Sequence, residues 1–231
     1  MKVIPGSGPG KGVSKMGRME IEAVFFDVGE TLINEGRIYG EWADWLGVPR
    51  HTFNAVLGGV IARGGHHLAV LEHFKPGFDL AAEETARHAA GVPNGFGPDD
   101  LYPDARRCLS DLRALGLLVG VAGNQPKEAA AQFAALGLEA DIVGMSADWG
   151  VEKPSPEFFA RVSAEAGLPP ERILYVGDRI DNDVRPGLAA GFQVAFLRRG
   201  PWGHVQRDEE ALSRCRFRLD SLAELPVLLN P

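Results

Sequence analysis

A chain of 231 residues with 45% apolar and 24% charged side chains is sized for one large globular domain, or for a core carrying a smaller insert. Its formal charge of -7, with no basic face and no interleaving of aromatic and basic residues, excludes a broad nucleic-acid footprint but leaves room for a local anion pocket. No apolar run reaches the roughly 18 residues of a membrane span, and Cys108 and Cys215 read as packing thiols of a reduced, cytoplasmic protein.

Residues 1–20 read as a flexible leader. The stretch Gly6-Ser7-Gly8-Pro9-Gly10-Lys11-Gly12 has the look of a phosphate-binding loop. However, that motif's leading glycine falls on Pro5, Gly12 stands where Ser or Thr is needed, and no strand precedes it. The first strand is Ala23-Val24-Phe25-Phe26, an apolar run that stops at Asp27 and is followed by Val28, Gly29, Glu30 and Thr31. A strand apolar throughout is buried on both faces, as in a parallel sheet, and its terminal acid then stands at the carboxyl edge where such sheets collect ligands.

From about Tyr39 to Pro103 the pattern is helical. Trp42, Trp45 and Leu46 share one face, Phe53, Val56, Leu57, Val60 and Ile61 another. Leu68, Leu71 and Phe74 suggest a third helix and Leu80 to Ala90 a fourth. Trp42 and Trp45 are expected to pack this insert onto the core. The chain then alternates, with a helix from Pro103 to Leu115, a strand from Leu117 to Ala122 and a helix from Lys127 to Leu136. A strand from Ala140 to Met145, a helix from Ser155 to Ala166 and a strand from Arg172 to Val176 come next. A helix from Val184 to Ala190, a strand from Val194 to Leu197 and a tail helix near Ser221 to Leu229 complete the pattern. Strands separated by helices of this length imply right-handed crossovers and a parallel α/β sheet.

Each strand delivers polar groups just past its carboxyl end: Asp27, then Gly123-Asn124, then Asp178 with Asp181, Asn182 and Asp183. Lys153 precedes a helix whose start is marked by Ser155 as cap and Pro156 at the first position, so an ammonium stands beside free backbone N–H groups. Converging aspartates make the oxygen-rich pocket that magnesium prefers.

In this order the motifs resemble those of the haloacid dehalogenase superfamily, most of whose members are magnesium-dependent phosphohydrolases. Phe26-Asp27-Val28-Gly29-Glu30-Thr31-Leu32 resembles its first motif, Val121 to Asn124 its second, Glu152 to Pro156 its third and Gly177 to Asp183 its fourth. The resemblance covers roughly residues 21 to 230. It implies a Rossmann-like three-layer core over 21–36 and 104–231, with a helical cap of the family's first type over 37–103. It further implies that Asp27 attacks phosphorus of a small phosphorylated metabolite and forms an aspartyl-phosphate that water hydrolyses. Lys153, Gly123 and Asn124 would meet the phosphoryl group. Magnesium would be held by Asp27, the Gly29 carbonyl and Asp178, with Asp183 as a further or more remote ligand.

Two positions depart from the family pattern. Gly29 replaces the aspartate that usually protonates the leaving group, and Gly123 replaces the usual Ser or Thr hydroxyl. Glu30, next to Gly29, reads as a solvated loop acid. Five histidines in the insert, His51, His66, His67, His73 and His88, read as surface residues, with a catalytic role as the sharper alternative. An impaired relative that keeps the metal and anion pocket for binding is therefore the rival to an active phosphohydrolase. Carbon–halogen hydrolysis stands third, because the acidic fourth motif has no evident use in it. Natural substrate and oligomeric state are not written in these residues.

Overall fold

A computed structural model describes residues 20–92 and 95–230 of the chain. The leader, including its glycine-rich stretch at 1–19, lies outside the described residues. Strand β1 (Ala23–Phe26) is apolar at every position because both its faces are covered. Val24 and Phe26 enter one hydrophobic layer, Ala23 and Phe25 the other. With β2 (Leu118–Gly123), β3 (Ile142–Met145), β4 (Ile173–Gly177), β5 (Gln193–Leu197) and β6 (Phe217–Leu219) it forms a parallel six-stranded sheet. The order is β3-β2-β1-β4-β5-β6, every neighbouring pair parallel. This is the α/β, Rossmann-like class expected from the alternation. The order reverses at β1, so the crevice beyond its carboxyl end is the place where such sheets bind ligands.

After β1 the described residues of the insert form four α-helices, α1 (Gly36–Trp45), α2 (Arg50–Ala62), α3 (Ala69–Phe74) and α4 (Leu80–Ala89). They close around a hydrophobic cluster of their own, with Trp42, Phe53, Leu57, Ile61, Val70 and Leu71 inside. Both insert tryptophans have partners within the insert. Trp42 meets Phe78 edge-on at 5.6 Å and lies under the buried Arg87 guanidinium at 4.0 Å, while Trp45 donates its indole N–H to Glu83 at 2.8 Å. A third tryptophan enters the same cluster from the core side.

The remaining helices are α5 (Ala105–Ala114), α6 (Glu128–Ala135), α7 (Ser146–Trp149), α8 (Pro156–Ala166), α9 (Arg185–Ala189), α10 (Gly200–Val205), α11 (Glu209–Ser213) and α12 (Leu225–Leu229). Leu109 and Leu112 of α5, Phe133 of α6 and Leu225 of α12 pack on one sheet face; Phe158 and Phe159 of α8 and Leu212 of α11 pack on the other. Trp202 of α10 is buried in the cluster of the insert, where it meets Tyr39 at 6.4 Å and His67 at 6.1 Å. Ser155 caps α8 by accepting the Glu157 N–H at 3.2 Å, as its sequence suggests. Cys108 joins the first layer and Cys215 the second, so the two free thiols lie on opposite sides of the sheet. Among the described residues no helix is long and apolar enough to cross a membrane.

The two connections between insert and core run side by side. Ile33 bridges Leu101 in antiparallel fashion, the Tyr102 N–H donates to Leu32 O at 2.9 Å, and Asn34 N–H to Asp100 O at 2.7 Å. Arg37 then locks them with a two-pronged grip on Asp100, 2.9 Å to Oδ1 and 2.7 Å to Oδ2. Burial alone would raise the Asp100 carboxyl, but Arg37 and the Gly97 N–H outweigh it and hold the group below the usual carboxylate range. The tie therefore holds above about pH 4 and is lost only as pH falls through the lowered value. Asp100→Ala is expected to cost about 2 kcal/mol, a Tm fall of about 5 °C by calorimetry at pH 7. An unchanged Tm would mean that the backbone pairing alone carries this junction.

Candidate active site

Asp27 leaves β1 where Phe26 stands level with Val121 of β2 and Val176 of β4, and its N–H donates to Val176 O at 2.9 Å. Asp178 follows β4 directly. Asp183 sits on a π-helical turn, Ile180–Val184, and its Oδ2 accepts the Arg179 N–H at 2.9 Å. Position 177 must be glycine here, because a Cβ on it would collide with the Asp183 carboxylate. Lys153, just before α8, completes the group. All four side chains are buried: Asp27 is 7% exposed, Lys153 3%, Asp178 1% and Asp183 0%.

The Lys153 ammonium lies 2.7 Å from Asp27 Oδ1 and 2.7 Å from Asp183 Oδ1. Behind it stand the rings of Tyr175 and Phe158, 5.4 and 5.9 Å from Nζ, which keep this side dry. Burial alone would push the ammonium down, but the Asp183 and Asp27 carboxylates hold it well above the usual lysine range. Burial pushes Asp183 up, against the opposing pull of Lys153. Asp178 is pushed well above the usual carboxylate range by burial first, then by Asp183 and Asp27.

Both oxygens of Asp178 are buried with no hydrogen-bond partner among the described residues. Buried polar atoms are nearly always paired, so two orphaned oxygens on one carboxylate need an explanation. Asp27, Asp178 and Asp183 each offer an oxygen within 4.8 Å of the others. One ammonium does not balance three carboxylates, and an all-oxygen donor set with surplus negative charge fits a hard divalent cation such as magnesium.

Asn124 is spent differently from the sequence-based expectation that it meets the phosphoryl group. Its side-chain amide donates to Lys153 O at 2.8 Å and accepts from Lys153 N at 2.7 Å, clamping the backbone that carries the ammonium. A side chain at Gly123 would require the Asp27 carboxylate to shift, since an added Cβ would lie 2.7 Å from Asp27 Oδ1 and 3.0 Å from Val28 Cγ2.

Glu30 is no solvated loop acid. It is 5% exposed and takes a left-handed backbone conformation with φ of 52°, uncommon for a side chain of its kind. Its Oε2 accepts the Tyr102 hydroxyl at 2.6 Å and its Oε1 the Glu35 N–H at 3.1 Å. Burial raises its carboxyl despite these donors. Both oxygens are thus engaged in shaping the loop.

The side chain that comes to Gly29 is that of Glu35, a residue the sequence did not single out. A Cβ on Gly29 would lie 2.6 Å from Glu35 Oε1, 2.9 Å from Cδ and 3.2 Å from Oε2. Burial, then the negative charges of Glu30 and Asp27, push this carboxyl up to about 8, against Arg179. No spacing rule marks such a residue, because the loop from Gly29 to Glu35 folds back on itself through the Glu30 N–H bond to Ile33 O at 2.7 Å. Of the insert histidines, His51, His66, His73 and His88 are exposed. His67 is half-buried against Trp202, and burial, His66 and Arg179 push it down to about 4, which leaves it neutral near pH 7.

A family model described as haloacid dehalogenase-like hydrolase matches residues 21–191. The chain is similar to glyceraldehyde 3-phosphate phosphatase of Methanopyrus kandleri, 32% identical over 133 residues that cover 54% of this chain and 57% of that protein. It is also similar to glycerol-3-phosphate phosphatase of Homo sapiens, 32% identical over 145 residues, 57% of this chain and 45% of that protein. The chain thus spans about half the length of these curated relatives. Among solved structures, a HAD phosphatase from Thermococcus onnurineus superposes with a TM-score of 0.59 at 22% identity, covering 91% of this chain and 98% of that one, a likeness of fold.

Proposed function

Because the chain belongs to the haloacid dehalogenase-like hydrolases, we propose that it hydrolyses a small phosphorylated metabolite, with Asp27 as nucleophile. The observation that carries this reading is the Lys153 ammonium held 2.7 Å from both Asp27 and Asp183, next to the unpartnered Asp178. A carboxylate attacks a phosphate only where the mutual repulsion is masked. Lys153 supplies one positive charge at that point, and Asn124 fixes it there. Asp27 forms a bond to phosphorus as the ester oxygen leaves; water then breaks the aspartyl-phosphate and regenerates the carboxylate.

Asp27, Asp178, Asp183 and the Gly29 carbonyl would hold magnesium, which when bound supplies further positive charge to the phosphoryl oxygens. The helical insert over the crevice would act as the cap that selects the substrate, with Tyr39, His67 and Trp202 at its junction with the core. The phosphatase relatives support a small phosphorylated substrate.

Magnesium is expected to raise Tm. At a hundredfold excess over Kd the gain is about 2.7 kcal/mol, or roughly 8 °C. Asp178→Asn is expected to abolish most of that shift in a thermal melt with and without chelator. Phosphate release from an aryl phosphate in magnesium, stopped by chelator, is the direct test of the activity. A second reading, binding without turnover, is favoured by the missing hydroxyl at Gly123; it gives the melting shift but no phosphate release.

A further inference from the structure

The reaction proposed above leaves one task unassigned: a proton for the departing alkoxide, which the glycine at position 29 cannot give. Three acids or bases lie near enough to be considered. Glu30 has both oxygens engaged, by Tyr102 and by the Glu35 N–H, and its Cβ and Cγ lie against Gly200. His67 packs edge-on against Trp202. Glu35 alone has its carboxylate in the space that a side chain on Gly29 would fill. The distance of 2.6 Å from the imagined Cβ to Oε1 is close to the reach of an aspartate oxygen from its own Cβ.

We infer that Glu35 is the general acid and base of this site, a carboxyl delivered from the start of α1 into the place left empty by Gly29. The inference rests on phosphoryl transfer through Asp27. In the first step the Asp27 oxygen bonds to phosphorus, the phosphorus–oxygen ester bond breaks, and the Glu35 proton passes to the departing oxygen. In the second the Glu35 carboxylate takes a proton from water as that water's oxygen bonds to phosphorus. The Asp27–phosphorus bond then breaks, and inorganic phosphate leaves with Glu35 protonated again. Glu30 and Tyr102 act as positioning residues, because Glu30 Oε1 holds the Glu35 N–H at 3.1 Å and Tyr102 holds Glu30. The arrangement also gives Gly29 a reason to stay a glycine: any side chain there would displace the Glu35 carboxylate.

The test compares an aryl phosphate, whose phenolate leaves unaided, with an alkyl phosphate, whose alkoxide does not. Wild type, Glu35→Gln, Gly29→Asp, the double variant Gly29→Asp/Glu35→Ala and Asp27→Asn are assayed with magnesium, and their melting curves are recorded. Glu35→Gln is expected to lose about 10² to 10³ in alkyl turnover but less than about tenfold in the first step with the aryl substrate. Its aryl-phosphate reaction should also accumulate phosphoenzyme, seen by intact mass, because the second step lacks its base. Gly29→Asp alone should fall, through crowding, and the double variant should recover alkyl turnover to within about tenfold of wild type. Equal losses on both substrates, or none, or a double variant no better than Glu35→Ala, overturn the assignment while Asp27→Asn still abolishes turnover. Turnover that survives Asp27→Asn, or is absent from the wild type, overturns the underlying phosphohydrolase reading instead.

Discussion

Asp27→Asn is expected to lower phosphate release by at least about 10⁴-fold and to abolish the covalent phosphoenzyme, with little change in Tm. An amide oxygen carries no net charge and does not displace an ester from phosphorus. The fold should tolerate the change, because the amide keeps an oxygen for the Lys153 ammonium, now 2.7 Å from Asp27 Oδ1, and Asp183 still neutralises the lysine at 2.7 Å. Removing one of three crowded carboxylates also relieves repulsion around Asp178. Activity and stability therefore separate in this variant. Steady-state assay, intact mass after incubation with an aryl phosphate, and calorimetry read the three quantities. A variant that retains more than a few per cent of turnover would show that another group attacks phosphorus.

Lys153→Met should affect both. The methionine fills much of the apolar volume beside Tyr175 and Phe158 but takes away the ammonium that Asp27 and Asp183 face, leaving only the Arg179 guanidinium acting on Asp178 and Asp183. Breaking a buried pair by removing one partner costs about 3 to 5 kcal/mol, a Tm fall on the order of 10 °C for a chain of this size. Turnover should fall by about 10² to 10³, the usual loss when one charge-stabilising donor is removed from a reacting centre. Magnesium should restore more of the Tm in this variant than it adds to wild type, because the three carboxylates have then lost the ammonium between them. A Lys153→Met protein as stable as wild type without magnesium would mean that the carboxylates share protons instead of relying on the ammonium.

The parallel sheet was legible because its strands are buried on both faces and so appear as unbroken apolar runs such as Ala23–Phe26 and Leu118–Gly123. Strand β6 was not, since Phe217-Arg218-Leu219 is three residues long with an arginine at its centre. Helix α10 escaped for a related reason: Gly200-Pro201-Trp202-Gly203 reads as a turn, and only the apolar cluster of the insert gives Trp202 its place. Within the site, Asp27, Lys153, Asp178 and Asp183 announced themselves because each ends a strand or precedes a helix. Glu35 sits on no strand end, and the fold-back that brings it to Gly29 depends on the left-handed turn at Glu30. The role of Asn124 was equally hidden, because a side chain that clamps a neighbouring backbone looks, in sequence, like one that meets a ligand.

The position of β1 has a consequence for the time at which the protein comes into being. Among the described strands it is made before the others, yet its partners on either edge begin at Leu118 and Ile173, as the pairings of Ala23 show. At ribosomal speeds of about 5 to 20 residues per second, Val24, Phe25 and Phe26 wait on the order of ten seconds for the later edge. The helices of the insert, held by contacts close in sequence, can meanwhile collapse by themselves. Asp27 thus acquires Asp178 and Asp183 only when β4 docks and closes the sheet. A chain released before that point carries Asp27 without the buried partners that surround it in the folded protein.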